Sequence, residues 1–324
     1  MSERVNALEK MNSLGACGEP FLFIIDFEMN KPLVFRLNEI DKAEIFYCIG
    51  NLENSPSPKK INNNFIFKKY PVDKEIYATA FNTVQHHLSA GNTYLLNLTF
   101  PTRIETSLTM TDIFLLSRAK YKLLYRDKFV LFSPEPFVRI EKGKMFSFPM
   151  KGTIDAGIEN AEAIILNDQK EIAEHNTIVD LIRNDLSMVA KNVAVDKFRY
   201  VEKIATHDKQ LLQVSSQISG QLSGDYRKKL GEILFTLLPA GSISGAPKKK
   251  TLDIIKEVEE GPRNYYTGVF GIFDGKNLES AVMIRFIENV GGQLYFRSGG
   301  GITYQSSVEL EYQELIDKVY VPIN

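Results

Sequence analysis

The feature that most constrains how this chain can fold is a change of hydrophobic period. Residues 158–190 carry a long helical pattern, and residues 197–222 then read as extended, with Val214, Ser216 and Ile218 alternating against Ser215, Gln217 and Ser219. Long helices next to period-two strands call for a mixed α/β or α+β domain rather than a bundle or a pure sandwich. The rest of the chain repeats the mixture. Helical spacing recurs over 74–90, where Gly91 supplies a stop, and over 110–119, 226–238, 247–258 and 308–318. Strand-like runs fall at 21–25, 43–47, 94–100, 129–132, 137–141, 266–273, 279–287 and 293–298, the two near 133 separated by the turn residues Ser133-Pro134-Glu135-Pro136. The polar Pro/Ser/Asn segment 51–64 reads as a surface loop inside one domain.

Charge narrows the function. Thirty-nine basic and 40 acidic residues leave a net charge of −1, so no footprint for nucleic acid or an anionic membrane is expected. A small anionic substrate in a locally basic pocket fits that balance. No apolar run approaches the roughly 18 residues of a membrane span, and the first 20 residues lack a signal-peptide pattern. Cys17 and Cys48 have neither zinc-ligand nor redox spacing. A cytoplasmic protein is expected. Cys17 also lacks the strand-to-helix elbow and the histidine partner of a glutaminase nucleophile.

Four stretches can carry chemistry. In Pro149-Met150-Lys151-Gly152-Thr153 a lysine is held between a proline-stiffened approach and a Gly-Thr turn, a setting that can present an amine nucleophile. Glu171-Ile172-Ala173-Glu174 and Glu311-Tyr312-Gln313-Glu314 each put two carboxylates three apart on one helical face. Two such faces in opposition supply hard oxygen ligands suited to Mg²⁺. His175 follows Glu171 by four residues, not three, which argues against a Glu-x-x-His di-iron site. In Pro239-Ala240-Gly241-Ser242-Ile243-Ser244-Gly245-Ala246-Pro247-Lys248, Pro247 suits the first position of a helix whose start can hold an anion, but the spacing is not that of a phosphate loop. Lys248-Lys249-Lys250 reads as a solvated face. Gly299-Gly300-Gly301 lets a backbone approach a ligand closely.

Together, SPEPFV (133–138), PMKGT (149–153), EIAEHNTIVDLIRNDL (171–186), LPAGSISGAPK (238–248), YYTGVFGIFDG (265–275), MIRF (283–286), SGGGIT (298–303) and ELEYQEL (309–315) make the chain resemble the chorismate-binding enzymes. These include the aminodeoxychorismate, anthranilate, isochorismate and salicylate synthases. The resemblance implies two packed, antiparallel-rich β-sheets flanked by helices. It also implies a single catalytic unit over 1–324, with a shortened part at 1–74 and the family motifs over 75–324.

Lys151 stands where the aminating, p-aminobenzoate and folate branch has lysine and anthranilate synthases have alanine. The implied reaction is attack of its amine on carbon 2 of chorismate with loss of the 4-hydroxyl. Ammonia from a glutamine amidotransferase partner then adds at carbon 4, giving 4-amino-4-deoxychorismate. The matching positions imply Mg²⁺ held by Glu174 and Glu314, with Glu171 and Glu311 direct or through water. Arg285, Lys318 and the backbone of Gly299 and Gly301 are implied to bind the substrate's carboxylates, and Gly152, Thr153 and Ser242 to line the pocket.

Three positions depart from the pattern. Gln213, counted with the substrate-binding residues, replaces a catalytic histidine, and His207 lies six residues too early to stand in for it, so no proton donor is assigned. Ile272 replaces a substrate-contacting tyrosine. Leu95 stands where isochorismate and salicylate synthases have a water-activating lysine, which argues against them. The alternatives are anthranilate synthase component I and a catalytically silent chorismate-binding subunit. The short region before residue 75 implies no feedback inhibition.

Overall fold

The computed structural model describes residues 2–56, 65–205 and 210–322. Part of the polar 51–64 segment, and His207, lie outside the described residues. The chain begins with a helix that the period analysis passed over, α1 (Glu3–Cys17). Ser2 caps its start and Gly18 closes it with φ 68, while Ala7, Met11 and Leu14 form its buried stripe. There follow β1 (Phe21–Ile25), β2 (Leu33–Arg36), β3 (Ile45–Ile49), β4 (Leu52–Glu53) and β5 (Phe67–Tyr70). Helix α2 (Lys74–Ser89), capped by Asp73, leads into β6 (Leu95–Thr106). Helix α3 (Met110–Leu116) starts on a Thr109/Asp112 capping box and stops short of the expected residue 119. Next come β7 (Tyr121–Tyr125), β8 (Phe129–Ser133), β9 (Pro136–Glu141), β10 (Lys144–Ser147) and β11 (Met150–Asp155).

The 158–190 pattern forms two helices instead of one, α4 (Ala161–Asn167) and α5 (Gln169–Ser187). Asp168 between them is extended and its carboxylate accepts the Glu171 N–H, so one residue ends the first helix and caps the second. The extended region is a long pair, β12 (Lys191–Ala205) and β13 (Gln210–Gln221). Helix α6 (Leu230–Leu237), the single turn α7 (Gly241–Ser244), the two-residue β14 (Gly245–Ala246) and α8 (Lys248–Val258) come next. Pro247 is the N-cap of α8, one position earlier than expected. After β15 (Val269–Phe273), the expected strand 279–287 divides into β16 (Leu278–Val282) and β17 (Phe286–Val290); β18 (Gln293–Ile302) and α9 (Val308–Asp317) close the chain.

Among the described residues there are two nine-stranded sheets. The first runs β11-β13-β10-β9-β16-β15-β1-β2 with β12 beside β13, and the second runs β14-β6-β18-β17-β8-β7-β3-β4 with β5 beside β6. Their strand pairs are antiparallel. Strand β1 shows how they stack. Its alternate residues Phe21, Phe23 and Ile25 join a core shared with Met11, Leu14, Leu230 and Leu234 of α1 and α6. Leu22 and Ile24 join the core that holds Ile45, Tyr47, Leu123 and Leu131 of the second sheet. A strand covered on both faces reads as one continuous apolar run, as FLFII does. The expected architecture of two packed antiparallel sheets flanked by helices is the one observed.

Candidate active site

The chain crosses between sheets at two adjacent places. Pro134 and Glu135 join β8 to β9, and Met283–Arg285 join β16 to β17. The crossings are tied together: the Val282 N–H donates to Glu135 O at 3.1 Å and the Phe132 N–H to Arg285 O at 3.2 Å. Arg285 has φ 52, a left-handed conformation that breaks the strand there. The expected continuous strand therefore fails at the residue that the change of sheet turns towards the cleft.

Lys151 owes its placement to a bulge. Met150 pairs with Ser215 and Thr153 with Gln213, so β11 holds one residue more than β13 between those pairs. Gly152 takes the required positive φ of 85. A bulge of this kind re-aims a side chain out of the strand's alternation. Lys151 Nζ lies 3.4 Å from Glu174 Oε2, with the two side chains 24% and 10% exposed. It also lies over the triple glycine: a Cβ added to Gly301 would sit 3.4 Å from Lys151 Nζ and 3.1 Å from Leu95 Cδ1.

The four glutamates reach the same region as two pairs. A Cβ on Gly152 would stand 3.1 Å from Glu171 Oε2, and one on Gly300 would stand 3.3 Å from Glu311 Oε2 and 3.7 Å from Glu314 Oε1. Among the described residues no three metal-ligating side chains stand close enough to enclose an ion. The donors are nevertheless all hard carboxylate oxygens, the chemistry that Mg²⁺ selects, so the set fits that ion by type although it is not drawn into a shell.

Glu311, Glu314, Arg285 and Lys318 line one open cleft of about 500 Å³, a size suited to a small ligand. Lys318 Nζ donates to Gly299 O at 2.8 Å and pairs with Glu314 at 2.5 Å. Burial pushes its ammonium below the usual lysine range, against the pull of Glu314. Arg285 Nη1 donates to Lys318 O at 2.9 Å, and its guanidinium lies 5.1 Å from the centre of the Tyr320 ring. Of the expected anion-binding residues, Arg285, Lys318 and Gly299 are thus brought together, while Gly301 lies against Leu95 and Lys151.

Glu135 also belongs to this site by its contacts, although as part of the SPEPFV stretch it carried no expected role. Ser242 Oγ donates to its Oε1 at 2.5 Å. Burial raises its carboxyl above the ordinary range, opposed by the Ser242 hydrogen bond and by the positive charges of Lys151 and Lys318. A carboxyl whose pKa is raised is suited by chemistry to donate a proton. The available signal was a glutamate between two prolines at a strand junction, where the backbone holds the carboxyl in place.

Other expectations fare differently. Thr153 is exposed and faces Gln213 across the β11–β13 ladder. Ile272 is 1% exposed and packs in the core between the sheets. Leu95 is buried beside Lys151. Lys248 is not on a solvated face: its ammonium pairs with Asp185 at 2.8 Å and donates to Leu237 O at 3.1 Å, joining α8 to α5. His175, set aside as a ligand, is 1% exposed with Nε2 2.7 Å from Ser216 Oγ. Burial, then the charges of Arg199 and Lys151, push its ring down to about 4.

The family model described as chorismate binding enzyme matches residues 28–324. An uncharacterized PabA-like protein of Pasteurella multocida (strain Pm70) is 50% identical over 317 residues, 98% of each chain. Aminodeoxychorismate synthase component 1 of Escherichia coli (strain K12) is 32% identical over 262 residues, 76% of this chain and 56% of that one. Among solved structures, anthranilate synthase component I from Streptococcus pneumoniae TIGR4 superposes with a TM-score of 0.65 at 25% identity, covering 79% of this chain and 59% of that one.

Proposed function

The chain belongs to the chorismate-binding enzyme family, and we propose that within it the protein is an aminodeoxychorismate synthase component I. The observation that carries this reading is Lys151, whose amine stands beside Glu174 and over Gly301, close enough to the Glu135 carboxyl for its charge to act on it. An anthranilate-forming site needs no amine there, whereas a two-step substitution does. The lysine attacks carbon 2 of chorismate, the ring double bond shifts, and the 4-hydroxyl leaves as water after taking a proton from Glu135. Ammonia then adds at carbon 4 and gives up a proton that restores the Glu135 carboxyl, and the carbon 2–nitrogen bond breaks to return the free lysine. The sum is chorismate plus ammonia to 4-amino-4-deoxychorismate plus water.

Arg285 and Lys318 bind the substrate's carboxylates, Arg285 through its planar fork. Gly299, Gly301, Gly152, Thr153, Gln213 and Ser242 complete the pocket. Glu174 and Glu314 would hold Mg²⁺, with Glu171 and Glu311 direct or through water; the ion supplies charge neutralisation for the ring carboxylate. Ammonia comes from a glutamine amidotransferase partner. Cys17 is an exposed residue at the end of α1, not a glutaminase nucleophile. No described helix is long and apolar enough to cross a membrane, in keeping with a cytoplasmic role in p-aminobenzoate and folate synthesis.

The test is to incubate purified protein with chorismate, Mg²⁺ and ammonium and to identify products by mass spectrometry, with and without an added aminodeoxychorismate lyase. The expected product is aminodeoxychorismate, converted to p-aminobenzoate only with the lyase. Fluorescent anthranilate formed without lyase would replace this reading with anthranilate synthase component I. Chorismate consumption unaffected by Lys151→Ala would remove the covalent step.

A further inference from the structure

Behind Lys151 stands a second device that the reaction scheme does not use. His175 follows Glu174 on α5 and is buried against β13, with Nε2 2.7 Å from Ser216 Oγ. Ser216 Oγ already accepts the Arg199 backbone N–H at 2.9 Å. With one lone pair so engaged, the hydroxyl can donate to Nε2, and we assign the ring proton to Nδ1 on that basis. Nδ1 is buried and completes no hydrogen bond within the protein. The main chain of Lys151 lies close enough to the ring to act on it. That main chain belongs to the extra residue of the β11 bulge, between the Met150–Ser215 and Thr153–Gln213 pairs. A bulge disrupts the regular ladder around its extra residue, and the His175 ring is a side chain placed to steady the backbone there.

We propose that His175 is a positioning residue for Lys151: its Nδ1–H steadies the bulged Lys151 peptide, with Ser216 holding the ring from behind, and so fixes the direction in which the lysine side chain leaves the strand. Helix α5 then works on Lys151 from two sides, Glu174 at the amine and His175 at the backbone. The inference rests on the reading of Lys151 as nucleophile. Its consequence is geometric: without the imidazole the bulge can relax, and a misplacement of the amine by about 1 Å lowers the chemical step about 100-fold while substrate binding is kept.

Three variants separate this from simple filling of space. His175→Asn keeps an N–H near the position of Nδ1, His175→Leu keeps bulk without a donor, and Ser216→Ala removes the rear support together with the acceptor of the Arg199 N–H. Each is assayed for kcat and KM with chorismate and ammonium, and for amide hydrogen exchange across residues 150–153. For His175→Leu the expected result is a fall in kcat of about 100-fold, an unchanged KM and faster exchange. His175→Asn should recover most of the kcat and the slow exchange, and Ser216→Ala should lie between. Equal loss in the Asn and Leu variants, a rise in KM at constant kcat, or wild-type exchange in His175→Leu would each overturn the proposal. If His175→Leu does not fold, the Asn variant and Ser216→Ala decide it on the same two readouts. If Lys151→Ala consumes chorismate at the wild-type rate, the nucleophile reading fails instead, and the exchange data still decide whether His175 holds the peptide.

Discussion

Glu135 Oε1 and Ser242 Oγ lie 2.5 Å apart although 107 residues of chain separate them. The contact joins the crossing between the two sheets to the short turn before α8. Burial raises the Glu135 carboxyl above the ordinary range, while the Ser242 hydroxyl and the charges of Lys151 and Lys318 pull it back down.

Glu135→Gln should therefore do two opposite things. As the proton donor to the leaving hydroxyl, its loss should lower kcat by about 10²–10⁴-fold with little change in KM. Because the folded pKa is raised above the unfolded one, the contribution of Glu135 to stability is fully present below the unfolded pKa and is lost as pH rises through the folded value. The glutamine, which never ionises, should escape that loss. A Tm about 2 °C above wild type at pH 8 is expected, the change that about 1 kcal/mol makes in a chain of this size. Thermal melts at pH 5 and pH 8, with rate measurements on the same samples, check both effects; a variant with full kcat would discard the assignment.

What the sequence disclosed followed the range of the interaction. Glu171/Glu174 and Glu311/Glu314 were readable because three residues of helix suffice to place two carboxylates together. Lys151-Gly152 was readable because a glycine next to a lysine marks a local break in a strand. Glu135 was not, since its partner Ser242 is remote and a carboxyl's function depends on what buries it. Lys248 was misread for the same reason: its partner Asp185 is 63 residues away. The division of 158–190 turned on a single side chain, Asp168, serving two helices at once. The strand 279–287 failed because each half pairs with a different sheet, which no one-dimensional pattern records.

Arg263 and Glu259 form a second long-range clamp and a second prediction. The pair is 2% and 6% exposed, with Arg263 Nη2 2.6 Å from Glu259 Oε1. The same guanidinium donates to Ile243 O at 2.9 Å and Asn97 O at 2.6 Å. Glu259 in turn accepts the Thr99 N–H at 2.9 Å. The pair thereby ties β6 to α7, the turn that carries Ser242. Arg263→Met should cost about 3–5 kcal/mol in urea unfolding, because Glu259 and two carbonyls lose a buried partner. The double variant Arg263→Met/Glu259→Gln should cost less than the sum of the single ones. Strict additivity would mean that the pair is not coupled.

The glycines give the sharpest contrast. Gly245 has φ 132, and a Cβ there would run into the backbone oxygen of Leu95, which cannot move without breaking the β14–β6 pairing. Gly245→Ala should be destabilised and inactive together. Gly301 has no positive φ, and a Cβ there meets only side-chain ends, Leu95 Cδ1 at 3.1 Å and Lys151 Nζ at 3.4 Å. Gly301→Ala should fold with a Tm within about 2 °C of wild type, since surrounding side chains can shift. Its kcat should nevertheless fall by up to about 100-fold, because the added methyl presses on Leu95 and takes up the space beside the Lys151 amine. Adding Leu95→Val, which removes the tighter of the two contacts, should recover part of that loss without changing Tm greatly. If Gly301→Ala kept the wild-type rate, the amine would have room to spare at its most crowded point, and the close fit between Lys151 and the glycine strand would have no part in catalysis.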